Sequence, residues 1–402
     1  MTFGRDLARL VLTFGREKRH YHHFAVVTNY NQAFAPGVAH RTTMQKPSIA
    51  VLGGGNGAIA AAGDLACRGF EVRLALRDRA RHAELFECRR VTLDGLLSGV
   101  GRLAAVTDDY AEAARGSRLI FVFAPATFQT EILVRALDGL SPGQVVCFAA
   151  GTFSCWPAAH ALAEAGGPDV TFAEMATLPY GVRVAGPAAV RFALSAAHLP
   201  TGVFPAARTE EAVARLREAY PAVEPVEDSL AAGLLNFDGA LHAPLTLMNA
   251  GAIEGMTEFD VHVQGATPAV VRVSLSLDGE RIAIREALGY HTHHWPLLDY
   301  YEGREMFYGV AYRQTRDRSV WNERIDFSHR YVTEDVALGL VLWSSLGRRL
   351  GVPTPLSGAF VAIASMINGV DYNYEGRTLD RLGLADVPLD VLRARLLDGG
   401  RV

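Results

Sequence analysis

Residues 48–58 read SIAVLGGGNGA, an apolar run that stops at a cluster of glycines and passes into a segment of small residues. The loop Gly53-Gly54-Gly55-Asn56-Gly57-Ala58 contains G-x-G-x-x-A between a predicted strand, Ser48–Leu52, and a predicted helix, Ala58–Ala66. That is the setting in which this otherwise common motif marks a dinucleotide site. Gly53 permits the tight turn, Gly55 lets the backbone approach a pyrophosphate, and Ala58 lets helix and strand pack closely. With Asn56 and Gly57, the helix start offers free N–H groups and a positive dipole end to phosphates. A second strand, Glu71–Leu76, follows at the spacing of a βαβ unit, and its tip reads Leu76-Arg77-Asp78-Arg79. An acid at that tip would hold ribose hydroxyls, whereas an arginine suits a 2′-phosphate. Arg77, with Arg79 and Arg81 behind it, favours NADP(H) over NAD(H); Asp78 as the ribose ligand is the alternative.

Working outward, strand and helix alternate, as in a parallel sheet with crossover helices. Leu119–Phe123 and Val145–Ala149 read as buried strands, and Thr127–Leu137 between them has helical spacing. A β-like stretch, Val91–Val106, interrupts the alternation, and the apolar segment Val190–Val203 closes this part. Thereafter the period is helical: Thr209–Tyr220 with Thr209 as N-cap, then Ser229–Gly251, Pro268–Leu288, Thr333–Leu350 and Leu356–Ile367. The predicted fold is an α/β Rossmann-type dinucleotide-binding domain, residues 47–208, followed by a mainly α-helical domain, residues 209–402. Residues 1–46 fit neither and read as an N-terminal extension or a misassigned start, since Met44 stands just before the first strand.

The chain of 402 residues exceeds what one core of about 250–300 residues supports, and 50% hydrophobic residues exclude disorder. A net charge of −4 argues against nucleic-acid or anionic-membrane partners. Cys67, Cys88, Cys147 and Cys155 form neither a CxxC pair nor a disulfide framework, which favours a cytoplasmic location. The uncharged stretch 351–370 is broken by Pro353, Pro355, Gly358 and Asn368 and reads as a buried helix with a proline entry rather than a membrane span. Only Lys18 and Lys46 are lysines. From residue 47 onward, no lysine is present to act as Schiff-base nucleophile or general acid.

In the helical part, Asn236-Phe-Asp238-Gly-Ala-Leu-His242 continues through Asn249 to Glu254, with Asp238, His242 and Asn249 at spacings of four and seven on one helical face. This pattern, with Arg330-Tyr-Val-Thr-Glu334-Asp335-Val336 and Gly369-x-Asp371-Tyr372, resembles the octopine/nopaline (opine) dehydrogenase family. Together with the Gly53 loop and Glu174–Tyr180 (EMATLPY), the resemblance covers residues 47–385. It implies an NAD(P)H-dependent condensation in which an α-keto acid and the amine of an amino acid form an imine that is reduced to a secondary amine. An ammonium must lose a proton to attack a ketone, and the carbinolamine must gain one to lose water; histidine titrates in the range that serves both. By resemblance His242 is the catalytic histidine, Asp335 its orienting carboxylate and Arg330 the arginine on a substrate carboxylate, where a bidentate fork suits the geometry. Asp238, one helical turn from His242, is a local rival to Asp335.

Gln129 and Thr152, in loops beyond strand ends, and Asn249 complete the expected substrate contacts, and Pro125 joins the cofactor set. His291-Thr-His293-His294 suggests a metal, but no carboxylate or cysteine stands at ligand spacing, and none is expected. With Trp295, Tyr300 and Tyr301 that stretch instead reads as selecting the amine. The expected partners are small molecules, a keto acid and an amine; a homodimer is compatible with the sequence. Two other readings stay open: a β-hydroxyacid or ketopantoate-type dehydrogenase, which generally uses a lysine beside the substrate, and a non-catalytic dinucleotide-binding protein.

Overall fold

The computed structural model describes residues 46–303, 306–310, 314 and 324–400, all within one compact unit that begins at Lys46. The N-terminal extension expected over 1–46 therefore lies, but for Lys46, outside the described residues.

Strands β1 (Ser48–Leu52), β2 (Glu71–Ala75), β3 (Arg90–Gly95), β4 (Gly99–Arg102), β5 (Ala105–Thr107), β6 (Leu119–Val122), β7 (Val145–Ala149), β8 (Thr171–Met175), β9 (Tyr180–Gly186), β10 (Ala189–Ser195), β11 (Leu199–Phe204) and β12 (Val223–Pro225) form two sheets. The larger has the order β12-β11-β8-β7-β6-β1-β2-β5 and is parallel except for β11 against β8. Its central strands β1, β6 and β7 are almost wholly buried, as near-continuous apolar runs must be when helices cover both faces. The chain goes from β1 to β2 on one side and returns to β6 on the other. This reversal opens a crevice at the carboxyl ends of β1 and β6, where ligands bind in open α/β sheets.

The stretch Val91–Val106 does not simply interrupt the sheet. Strands β3 and β4 pair with β9 and β10 in a separate four-stranded sheet, order β4-β3-β10-β9, while β5 joins the large sheet. The apolar segment Val190–Val203 is likewise divided: β10 belongs to the small sheet and β11 to the large one. Periodicity marks these as strands but carries no record of their partners. Because β12 is the edge strand and helix Thr209–Ala219 runs between β11 and β12, the sheet-bearing part extends to Pro225 rather than stopping at 208. Thr209 is not the cap of that helix. Arg208 stands at the N-cap position, and the Thr209 hydroxyl donates to the Ala206 carbonyl instead.

The remainder is helical. The predicted helix Ser229–Gly251 is three pieces, Ser229–Gly233, α-helix Asp238–Leu247 and Ala250–Gly255. Asn236 makes the first break by accepting from the Asp238 N–H, and Asn249 makes the second by donating back to the Leu245 carbonyl. The predicted helix Thr333–Leu350 begins earlier, with Arg330–Thr333, passes through a π-helical segment Asp335–Leu340, and ends as α-helix Val341–Leu350. Such π segments widen the helix locally and often accompany functional sites. Helix Pro355–Asn368 enters on Pro355, but only one face is buried; Met366 on the other is 81% exposed. Among the described residues no helix is long and apolar enough to cross a membrane.

Candidate active site

A cavity of about 280 Å³ opens at the carboxyl ends of β1 and β6. On the sheet side it is lined by Gly55, Asn56, Gly57 and Phe123–Pro125, and on the helical side by Asp238, His242, Arg330, Tyr331 and Glu334.

The glycine loop has the form that the motif demands. Gly53 has φ +137°, and a Cβ there would stand 2.1 Å from the Phe123 carbonyl oxygen, so no larger residue fits. A Cβ on Gly55 would meet nothing within 4 Å, which leaves its backbone open to an approaching group. The following helix, Asn56–Cys67, has no side-chain cap on its N-terminus. An uncapped helix start beside an open backbone fits the pyrophosphate of a dinucleotide. Ala58 is buried between strand and helix, as expected. The Asn56 side chain accepts from the Val184 N–H at 2.9 Å, tying the small sheet to the loop. Arg77 is exposed at the tip beyond β2, whereas Asp78 accepts from the Arg81 N–H at 2.9 Å within its own turn.

Opposite the loop, His242 Nδ1 lies 2.7 Å from Asp335 Oδ2. Asp335, not Asp238, is the carboxylate hydrogen-bonded to the imidazole. The His242 ring is stacked on Tyr331, centroids 3.7 Å apart and planes 13° from parallel, and the Tyr331 hydroxyl shares a hydrogen bond of 2.9 Å with His262 Nε2. Burial disfavours charge on both members of the pair. It pushes His242 down to about 4, with Asp238 opposing, and pushes Asp335 up, with Arg330 opposing. When Asp335 is ionised it only accepts, so the shared proton then rests on Nδ1 and Nε2 is the basic nitrogen.

Arg330 is divided among carboxylates: Nε to Glu334 Oε2 at 3.0 Å, Nη2 to Asp238 Oδ2 at 3.4 Å and, more distantly, Nη2 to Asp335 Oδ1 at 3.9 Å. Glu334 also accepts from the Ala126 N–H at 2.8 Å, at the start of the helix that follows β6. One buried carboxylate thus connects the sheet-side loop to the arginine. The bidentate fork expected of Arg330 is already used, and Nη1 is the nitrogen left for a further anion.

With this geometry in view, residues 225–368 match the NAD/NADP octopine/nopaline dehydrogenase alpha-helical domain. Over that helical domain the chain is similar to the octopine/nopaline dehydrogenase family. It is 29% identical over 356 residues to the opine dehydrogenase of Arthrobacter sp. (strain 1C), covering 87% of this chain and 99% of that one. It is 27% identical over 352 residues to the vitopine synthase of Allorhizobium ampelinum, covering 84% and 95%. Among solved structures, octopine dehydrogenase with NADH and L-arginine superposes with a TM-score of 0.67 at 18% identity, over 89% of this chain and 99% of that one, a likeness of fold.

Not every residue singled out from sequence reaches the cavity. Gln129 donates to the Ala124 and Ala150 carbonyls at 3.0 and 2.9 Å and fastens two loops together. The Thr152 carbonyl accepts from Arg377, and Asn249 donates to the Leu245 and Gly265 carbonyls at 2.9 and 3.2 Å. None of the three lines the cavity: Gln129 and Asn249 are claimed by backbone carbonyls, and the Thr152 hydroxyl accepts from Asn236 Nδ2 at 3.4 Å. Of the stretch 291–301, Tyr300 lines the cavity, whereas His293 is exposed and 3.9 Å from Asp299, and His294 Nδ1 accepts from Arg285. Tyr331, His262 and Glu334 were missed as contributors. Glu334 stood in the recognised motif, but nothing in the sequence disclosed its reach to Ala126. Lys46, the one lysine among the described residues, donates to the Arg68 carbonyl far from the cavity wall.

Proposed function

We propose that this protein reductively condenses an α-keto acid with the amine of an amino acid, prefers NADPH to NADH, and uses His242 as its proton-transfer residue. The observation that carries the proposal is the His242–Asp335 pair, 2.7 Å apart, in the same cavity wall system as the open glycine loop. Octopine dehydrogenase has been solved with NADH and L-arginine and with NADH and pyruvate, and yersinopine dehydrogenase with NADP+.

His242 Nε2 takes a proton from the substrate ammonium, and the amine adds to the keto carbon. Asp335 steadies the imidazolium that forms, as an orienting carboxylate does in a hydrolytic triad. The same proton then goes to the carbinolamine hydroxyl, which leaves as water to give the imine. A nicotinamide dinucleotide, when bound, supplies the hydride that reduces it. Arg330 offers Nη1 to the keto acid carboxylate, held in aim by Glu334. The described wall beyond His242 is formed by Phe237, Leu241, Tyr300, Met306, Phe307 and Tyr308, which favours an amine with an apolar or aromatic side chain. Arg77, exposed and free of an ion pair among the described residues, is the reason to prefer NADPH.

The test is NADPH oxidation with pyruvate, 2-oxoglutarate or glyoxylate, with and without a panel of amino acids. Oxidation that requires the amine supports the proposal. Oxidation by the keto acid alone would make the protein a hydroxyacid dehydrogenase. His242→Ala abolishes condensation and leaves NADPH affinity within about twofold; full activity in that variant would refute the role given to His242.

A further inference from the structure

With Asp335 established as the partner of His242 Nδ1, the second carboxylate beside the ring has no assigned task. Asp238 is the first residue of helix Asp238–Leu247 and stands one turn before His242 on the same cavity wall. Its carboxylate is 30% exposed, and its one ion pair among the described residues is the long contact of 3.4 Å to an arginine that already serves Glu334. Asp238, His242 and Asp335 each bring an oxygen or nitrogen to within 4.8 Å of the others. His242 is nine-tenths buried, and its Nε2 has no partner among the described residues. A basic nitrogen without a partner and an incompletely paired carboxylate thus border one space.

We infer that Asp238 is the anchor for the ammonium of the amine substrate, holding that cation against His242 Nε2 before the proton moves. The inference rests on the condensation proposed above. A cationic nitrogen satisfies both neighbours: it donates one hydrogen to the Asp238 carboxylate in a charge-assisted bond and another to His242 Nε2. Arg330 keeps its 3.0 Å bond to Glu334 and gives up only the weaker 3.4 Å contact to Asp238. When the proton passes to His242, the Asp238 carboxylate is still one helical turn away and favours the imidazolium, the direction in which it already acts on that ring. The carboxylate therefore binds the cation on arrival and supports its charge after transfer, without being protonated itself.

The experiment compares each amino acid with its counterpart lacking the amino group. Binding to the NADPH-loaded protein is measured by calorimetry for L-phenylalanine against 3-phenylpropanoate and for L-arginine against 5-guanidinopentanoate, in the wild type, Asp238→Asn and Asp238→Glu. Asp238→Asn keeps the side-chain shape, and unchanged NADPH affinity certifies its fold. The expected result is that Asp238→Asn weakens the preferred amino acid at least tenfold, leaves the amine-free counterpart within twofold, and is partly rescued by Asp238→Glu. Equal loss for both ligands of a pair, or loss for neither, would overturn the inference, as would no binding of either amino acid to the wild type. Pyruvate-dependent NADPH oxidation in the same samples separates the two levels. If amino acids bind through Asp238 but no amine-dependent oxidation occurs, condensation is refuted and the ammonium site stands.

Discussion

Replacing Asp335 by asparagine removes one charge and almost no volume from the buried pair with His242. The imidazolium that forms during proton transfer and the carboxylate are in hydrogen-bond contact, 2.7 Å from Nδ1 to Oδ2. With charge centres about 4 Å apart and an effective dielectric constant of about 20, their attraction is about 4 kcal/mol. A charge-assisted hydrogen bond measured by deletion is smaller, about 1.5–3 kcal/mol. At about 1.4 kcal/mol per decade, these bounds bracket a loss in kcat of roughly tenfold to a thousandfold. The amide also offers an N–H to Nδ1, which favours the tautomer with its proton on Nε2 and removes the base, so the upper end of the range is expected. Steady-state NADPH oxidation at saturating keto acid and amine measures kcat, and fluorescence titration measures NADPH affinity, expected within twofold of wild type. Burial already opposes charge on Asp335, so the thermal midpoint should be unchanged or raised. A variant that keeps more than a third of the wild-type kcat, or that loses NADPH affinity in proportion to activity, would refute the orienting role.

Arg77→Ala should weaken NADPH at least tenfold and NADH no more than twofold by fluorescence titration; equal losses would return the cofactor preference to Asp78. Glu334→Ala removes the acceptor shared by Ala126 N–H and Arg330 Nε, so the KM for the keto acid should rise about tenfold, and an unchanged KM would show that Arg330 needs no such support. Glu174 is fully buried and pushed up to about 7 by burial, against bonds from the Phe153 and Cys155 N–H groups. Because its pKa in the fold lies above its ordinary value, its contribution to stability is complete below about pH 4.5 and is lost as pH rises through 7. The thermal midpoint of the wild type should therefore fall between pH 5 and 7 more steeply than that of Glu174→Gln. Parallel curves for the two proteins would contradict the shift.

What local chemistry dictates was legible along the chain. Gly53 can be nothing but glycine, because its turn brings the backbone against Phe123, and the strand–loop–helix setting of the motif is contiguous in sequence. The helix after it and the alternation through β7 follow from periods and spacings that a single segment carries, whereas His242 was singled out by the resemblance of its motif and not by its spacing. Polar residues near strand ends were not legible in the same way. Gln129 and Asn249 satisfy backbone carbonyls and Thr152 accepts from Asn236 and Arg377, and a sequence does not distinguish a side chain that faces a ligand from one that closes a loop. The strands β3, β4, β9 and β10 announced themselves as strands, yet their assembly into a second sheet depends on pairing over about a hundred residues. The choice between Asp238 and Asp335 shows the division most clearly. Asp238 is four residues from His242 and Asp335 is 93 positions away, but the helix that makes Asp238 a neighbour points its carboxylate along the wall, while the π-helical turn at Asp335–Leu340 delivers Asp335 to Nδ1. Sequence determined that a histidine would have a carboxylate beside it. Only tertiary packing decided which one, because a hydrogen bond needs direction as well as proximity.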